Sequence, residues 1–475
     1  MTSRRKFNFT FRFFIMSAIC LMALINLPVF PGLAQGGPVA AVVRTAGHDQ
    51  QRAPLFLGTK TPYQAPGGSY TPPPAGYDPV FVNYVGRHGA RFMTKAGADL
   101  RVWEVLQAAE KSNSLTAKGR EVKAMTERLL VLEKDKYEQI TLLGKEEQEA
   151  IGERLLYNYG GIFRGRGLEI VTTYKLRTQQ SAEGFLQGLE KVPGKRNFTK
   201  AVDSLDAVLR FYDLSPAYQR YKKNAVLRKS LDSLDRDKRT KEAAAHIWGS
   251  LFTPGFSFPS SEGGNAVAFA DNLYDLYSVQ FSLPGEMQEK GYPKDSVDLG
   301  IAFGRKDLEW LDYRSGAQDF LEKGPGRDPL GIQVQVAAPL LVDFINSTDS
   351  VVRDAGTAPD AILRFTHAEA ISPFATLLGL PQASTAAASI YEYQARWRAE
   401  SVIPLSANIQ WILYSNGKDW LLKVLLNERE SALPVGTKQY PYYRWEDVKN
   451  YYIKTLHTIH AGLQDDMHNY LKKLN

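Results

Sequence analysis

Three short apolar runs each break off into a polar cluster, and that repetition limits the architectures open to this chain. Val80-Phe-Val-Asn-Tyr-Val85 is β-branched or aromatic at five of six places and reads as a buried strand. Gly86-Arg87-His88-Gly89-Ala90-Arg91 follows at once. Leu168 to Tyr174 reads as a second strand and runs into Lys175-Leu-Arg177-Thr-Gln-Gln-Ser181, ahead of a helix over Ala182–Leu189. Ala361-Ile-Leu-Arg-Phe365 is a third strand, followed by Thr366-His367-Ala368-Glu369 and a helix over Ala370–Leu378. Strand, cluster and helix in succession predict an α/β fold, a sheet flanked by helices. Ligands in such sheets bind beyond the carboxyl ends of the strands, near helix N-termini. All three clusters fall at such places.

At 475 residues the chain exceeds one ordinary core, so two domains or one domain with a large insertion are expected. Residues 1–34 read as an export signal: Arg4, Arg5, Lys6 and Arg12 precede the apolar run Phe13–Phe30, and Gly32-Leu33-Ala34 offers small residues for cleavage. The run is also long enough to span a bilayer, so a retained anchor is the alternative. Pro28 and Pro31 near its end favour cleavage. Ser3-Arg4-Arg5 leaves a twin-arginine route open. Removing this segment takes four basic and no acidic residues, so the net charge falls from +7 to +3. Nothing in that balance argues for nucleic acid. The single cysteine, Cys20, leaves with the signal, so the exported protein is expected to fold without disulfides, in a periplasmic or secreted setting.

Residues 35–79 are rich in proline and small polar residues and read as a linker or extended strap. Residues 80–191 and 329–475 carry the α/β pattern. Between them, 192–328 is mostly helical in pattern, including a helix over Phe198–Arg210, and reads as an inserted domain. Ile409–Tyr414 and Trp420–Leu426, joined by Ser415-Asn-Gly-Lys418, predict a hairpin that completes the sheet. A last helix is expected from about Trp445 to Leu471.

Of seven histidines only His88 and His367 stand at strand exits among polar residues. No compact His/Cys/carboxylate spacing points to a metal, and no cofactor is expected. Arg87 and Arg91 flank His88, and Arg177 and His367 come from other strand ends. Guanidinium forks match phosphate oxygens, and fixed cations meet the charge of a phosphoryl group in transit. Imidazole is then the natural nucleophile, kept neutral by the surrounding charge. Glu369 is placed to act as general acid on the leaving oxygen, provided substrate phosphate and partial burial hold it protonated. That predicts an acidic to near-neutral optimum.

Arg87-His88-Gly89-Ala90-Arg91 resembles the R-H-G-x-R signature of the histidine phosphatases. His367-Ala368-Glu369 resembles the variant second signature of the multiple inositol-polyphosphate phosphatases within the acid phosphatase and phytase branch. Leu142-Leu-Gly144, Arg177-Thr-Gln-Gln-Ser181 and Val424-Leu-Leu-Asn-Glu428 are similar to that family's spaced segments. The resemblance implies a phosphohistidine at His88, phosphate ligands at Arg87, Arg91, Arg177 and His367, and a proton donor at Glu369. It also implies an α/β domain with a helical insertion. Phe92-Met93-Thr94 departs from the x-Pro that often follows the first signature.

The expected activity is metal-independent phosphomonoester hydrolysis of inositol polyphosphates such as the hexakisphosphate, with no stable protein partner. Lys95, Lys118, Arg120 and Lys195 are candidate pocket cations by position only. A broad-specificity histidine acid phosphatase is the alternative within the same chemistry. A non-catalytic anion-binding protein is the alternative outside it, disfavoured by a carboxylate beside the phosphate. A cytosolic-type mutase is disfavoured by the export signal.

Overall fold

The computed structural model describes residues 55–474 except 192–197, 204–206, 258–264, 294 and 355. The proposed signal, 1–34, and the start of the strap lie outside these. Strand β1 (Asp78–Arg87) is the Val80–Val85 segment extended at both ends. Its residues alternate: Phe81 and Val85 enter one apolar cluster, Val82 and Tyr84 another. A strand buried on both faces must lie inside a sheet with helices on each side.

The helices after β1 are α1 (Ala98–Lys111), α2 (Ala117–Glu133) and α3 (Leu142–Tyr159). Then come β2 (Leu168–Thr173), α4 (Leu176–Glu190) and β3 (Phe198–Asp203). A helical run follows: α5 (Phe211–Leu214), α6 (Pro216–Tyr221), α7 (Ala225–Asp235), α8 (Lys238–Leu251), α9 (Ala266–Gln280), α10 (Pro284–Glu289), α11 (Arg305–Glu322), α12 (Ile332–Gln335) and α13 (Ala338–Arg353). The chain closes with β4 (Ala361–Thr366), α14 (Ala368–Leu377), α15 (Ala399–Val402), β5 (Asn408–Ser415), β6 (Trp420–Leu426), β7 (Arg429–Glu430), β8 (Tyr443–Arg444), α16 (Trp445–Thr458) and α17 (Met467–Lys473). The sheet order is β3-β2-β4-β1-β5-β6-β7, with β8 on β6. The first four strands in that order are parallel, and β5 and β6 run antiparallel as the expected hairpin.

Ile151 and Leu155 of α3 and Phe185 and Leu189 of α4 cover one face of the sheet. Phe344 of α13, Phe374 of α14 and Tyr452 of α16 cover the other. A third cluster stands apart, joining Val102 and Leu106 of α1, Val122 and Leu129 of α2, Ile247 of α8 and Leu273 of α9. The helices that leave the β1 loop directly therefore pack with the later helical run.

Three local expectations are corrected. Phe198–Arg210 is not a helix: its first half is β3, paired parallel with β2. The open edge of β2 offers a ladder that a segment with Phe, Thr and Val can complete, and that pairing overrides its helical pattern. The helix after β2 begins at Leu176, not Ala182, so Arg177 lies in its first turn. The C-terminal helix is two, α16 and α17, separated where His460 takes a φ of +59°.

Residues 61–77 of the strap form neither helix nor strand, yet they are held. Tyr70 stacks on Tyr159 at 5.7 Å between ring centroids, and the Tyr63 hydroxyl donates to Glu428 at 2.8 Å. Beneath it Lys423, 1% exposed, reaches Glu430 at 3.3 Å. The rings of Tyr70, Tyr159, Tyr414 and Tyr442 surround its ammonium at 4.8 to 5.6 Å. Glu430 also accepts from the Thr71 N–H and hydroxyl. Burial pushes the Lys423 pKa down and Glu430 opposes it. Glu430→Ala would leave a buried ammonium without its carboxylate, so a loss of about 3 kcal/mol in urea unfolding is expected. Lys423→Met, which removes the charge and keeps the stem's volume, is expected to cost less.

Candidate active site

Strands β2, β4 and β1 are neighbours, so their carboxyl ends bring Thr173, Thr366 and Arg87 to one rim. Arg87 is the register partner of Thr366, and the His88 N–H donates to the Thr366 carbonyl at 3.0 Å. The His88 carbonyl accepts from Ser406 at 3.1 Å. His88 is thus fixed by backbone on both sides. Its Nδ1 lies 3.0 Å from the Gly89 carbonyl. A carbonyl only accepts, so Nδ1 carries the hydrogen and Nε2 keeps a free lone pair. Burial first, then the charges of Arg87 and Arg91, push the pKa of His88 well below its usual value. The ring is neutral and nucleophilic.

His367 follows β4 directly, and its ring centroid is 5.5 Å from that of His88. Arg210 Nη1 lies 3.2 Å from His367 Nε2. Since a guanidinium only donates, Nε2 accepts and Nδ1 carries the hydrogen. That Nδ1 is buried and has no hydrogen-bond partner in the protein. The same holds for Arg87 Nε, Arg91 Nε, and Arg177 Nε and Nη1. Arg177 Nη1 does sit 3.5 Å from Glu138, an ion pair without a hydrogen bond. The other ends of two of the guanidiniums are anchored: Arg87 donates to the carbonyls of Thr59 at 2.7 Å and Ile403 at 2.5 Å, and Arg91 to that of Phe92 at 2.8 Å. Burial lowers the pKa values of Arg87 and Arg91 to about 10, and repulsion between the guanidiniums adds to it. Buried donors are almost always satisfied, so several orphans from charged residues around one imidazole mark a place for an anion rich in acceptors.

The loop that carries His88 is bound by tight approach and by carboxyl groups. A Cβ on Gly89 would lie 2.4 Å from the Gly144 carbonyl oxygen, and one on Gly144 only 2.1 Å from that of Ala90. The Leu142-Leu-Gly144 segment is therefore a steric requirement of the signature loop. Glu147 on α3 accepts from the Ala90 N–H at 2.9 Å, the Ser406 hydroxyl at 2.7 Å and the Tyr63 N–H of the strap at 2.7 Å. Glu133 accepts from the Met93 N–H and Glu286 from the Leu142 N–H. Ser181 accepts from the Gly89 N–H at 3.0 Å. Asn427-Glu428 serves the frame too, since Arg154 grips Glu428 with two hydrogen bonds of 2.9 and 2.6 Å.

Glu369 sits in the first turn of α14, partly exposed. Partial burial opposes its ionisation, but the charges of Lys323 at 3.3 Å and of Arg87 overcome this, and its pKa falls well below the carboxylate range. Within the protein's own field the carboxyl is ionised. The sequence expectation of a protonated acid therefore rests on the charge a substrate brings, because partial burial does not prevail against these cations.

All six residues singled out in the sequence lie along this rim: Arg87, His88, Arg91, Arg177, His367 and Glu369. Lys95, Lys118 and Arg120 are exposed, with Arg120 bonded to the Leu115 carbonyl, and Lys195 lies outside the described residues. Arg210 and Lys323 were missed. Neither stands in a motif, and only the fold brings them to His367 and Glu369. Among the described residues no group of three or more His, Cys, Asp or Glu side chains is arranged to hold a metal ion, and no helix is long and apolar enough to cross a membrane.

The fold and rim define an α/β protein with an anion site around a neutral histidine. Residues 80–427 match the family model of the histidine phosphatase superfamily, branch 2, and the chain belongs to that family. Among solved structures it is similar to the multiple inositol polyphosphate phosphatase of Bifidobacterium longum in complex with inositol hexasulfate, with a TM-score of 0.72 and 23% identity over 83% of this chain and 97% of that one. The phytase from D. castellii is similar at a TM-score of 0.65 and 16% identity, over 85% of each chain. These likenesses show the shared fold. No curated protein sequence matches the chain.

Two outcomes follow from the loop. Gly144→Ala is expected to lower the melting temperature and abolish activity together, because neither touching element is a flexible side chain. Burial raises the pKa of Glu133 from 4.5 to about 8. Between those values the folded chain holds a proton that the unfolded chain has released, so this group's contribution to stability is present below the lower value and lost as pH rises through the higher. Glu133→Gln keeps an acceptor for Met93 and is expected to flatten the fall in melting temperature between about pH 5 and pH 8.5.

Proposed function

We propose that this protein is an exported phosphomonoesterase that hydrolyses inositol polyphosphates through a phosphohistidine at His88. The observation that carries the reading is the set of buried, unpartnered donors on Arg87, Arg91, Arg177 and His367 around an imidazole whose Nε2 is free. Family membership and the His367-Ala368-Glu369 sequence support it. The B. longum and D. castellii likenesses extend it to inositol polyphosphates. The signal-like residues 1–34 support export.

Nε2 of His88 attacks phosphorus as the ester P–O bond breaks, and the guanidinium groups and His367 take the charge on the non-bridging oxygens. Glu369 gives its proton to the departing inositol oxygen. Water then attacks the phosphohistidine, Glu369 accepts a proton from it, and the P–N bond breaks to release phosphate and restore the imidazole. Fixed guanidinium charge supplies the electrostatic stabilisation, so turnover is expected to continue in excess chelator.

The direct measurement is phosphate release from phytate in chelator. His88→Ala is expected to fall to background and to yield no acid-trappable phosphoprotein, and equal release by both proteins would defeat the proposal. Glu369→Gln is expected to slow phytate hydrolysis roughly 10²- to 10⁴-fold. An aryl phosphate with a good leaving group needs little protonation, so the same variant should slow its hydrolysis far less. A wild type that favours the aryl ester over phytate would indicate the broad-specificity phosphatase.

A further inference from the structure

Lys323 follows the last turn of α11 and reaches across from the helical layer. Its Nζ lies 2.8 Å from Asp319 one turn earlier and 3.3 Å from Glu369. The lysine side chain is 13% exposed and that of Asp319 16%, so both are largely removed from solvent screening. The other groups acting on Glu369 are His367 after β4, Arg87 and Arg91 from the β1 loop, Arg177 on α4, and Tyr212 and Tyr218 from α5 and α6. The cations and the imidazole among them belong to the phosphate cradle. Lys323 does not, and its ammonium is shared at close range between Glu369 and a second carboxylate, Asp319.

An arriving phosphate changes this balance on two sides. It takes up the charge of the guanidiniums that favour an ionised Glu369. A polyanion also competes with Glu369 for the ammonium, and Asp319 gives Lys323 a partner that does not depend on Glu369. Resting on the phosphatase reading, we propose that Lys323 is a positioning residue that keeps Glu369 ionised until a polyanionic substrate enters, so that the proton later delivered to the leaving oxygen is taken up as the substrate binds. The proton comes from solvent or from a monoprotonated phosphate of the substrate, moves to a Glu369 carboxyl oxygen, and passes to the inositol oxygen when the P–O bond breaks.

Calorimetric titration with myo-inositol hexasulfate tests this, because sulfate esters carry no titrating proton. Binding is measured at about pH 6 in buffers of different ionisation enthalpy, whose slope gives protons taken up per site. Wild type is expected to take up about one proton, and Glu369→Gln almost none. Lys323→Met, whose Glu369 is already partly protonated, should take up less than half as much as wild type, and Lys323→Arg should restore the uptake. Should Lys323→Met not fold, Lys323→Gln carries the same expectation. A lysine that only braced the fold would alter affinity or melting temperature without altering the proton count. Equal uptake by wild type and Lys323→Met overturns the inference. So does absent uptake, or absent binding, in a wild type that hydrolyses phytate, and each of these leaves the phosphatase reading standing. Uptake as expected in a wild type that releases no phosphate has the reverse meaning: the Lys323–Glu369 coupling holds and the hydrolytic reading falls.

Discussion

Like charges brought together in a poorly hydrated place set the terms for the rest of this structure. Two unit charges about 5 Å apart repel by roughly 3 kcal/mol at an effective dielectric of about 20. Arg87, Arg91 and Arg177 bear such repulsion along with the cost of burial, which is why the first two hold their protons less firmly than a solvated arginine. Carbonyls of Thr59, Ile403 and Phe92 satisfy one end of Arg87 and Arg91 without cancelling charge. The remaining donors keep their capacity for an anion. A cradle already in position needs little reorganisation when phosphate arrives, so less of the interaction energy is lost to ordering side chains.

The frame around that cradle follows the same logic. Glu147, Glu133 and Glu286 hold backbone N–H groups of the signature loop and its neighbours, and burial raises the pKa of all three. A protonated carboxyl still offers a carbonyl oxygen to an N–H. What it no longer offers is a negative charge to quench the arginines. Below about pH 8 the carboxyl of Glu133 therefore adds no negative charge beside Arg91, while His88, pushed well down first by burial and then by the arginines, stays neutral.

Much of this was legible in the chain. β1, β2 and β4 are short runs of strong strand formers, and the residues after each are too polar to continue them, so strand and site were visible in one stretch. Arg87, His88 and Arg91 lie within five positions, and their proximity needs no fold. The groups that were not legible act only through tertiary contact. Lys323 is 46 positions from Glu369, at the end of a helix whose other face packs in the core. Arg210 ends the stretch Phe198–Arg210, whose pattern is helical, and a helix there directs nothing toward His367; the strand β3 does. Glu147 and Glu133 look like ordinary charges on amphipathic helices. Their burial follows from the Gly89–Gly144 approach, which draws α3 against the signature loop, and from α2 closing over the same turn.

The position of Glu369 imposes a further condition on the proposed chemistry. It lies in the first turn of α14, where the helix dipole favours a carboxylate, beside Lys323, which favours it as well. For a group that must donate a proton this is an unhelpful resting place. For one that must accept a proton from the water attacking phosphohistidine it is well suited. The two half-reactions ask for opposite protonation states of one carboxyl, and a fixed protein field can favour only one of them. This field favours the second. The first then depends on charge that the substrate carries in, and each additional phosphate on an inositol ring adds to that charge. Under the proposed mechanism a polyphosphate would be better matched than a simple ester, for a reason that lies in the proton balance rather than in the number of cations lining the pocket.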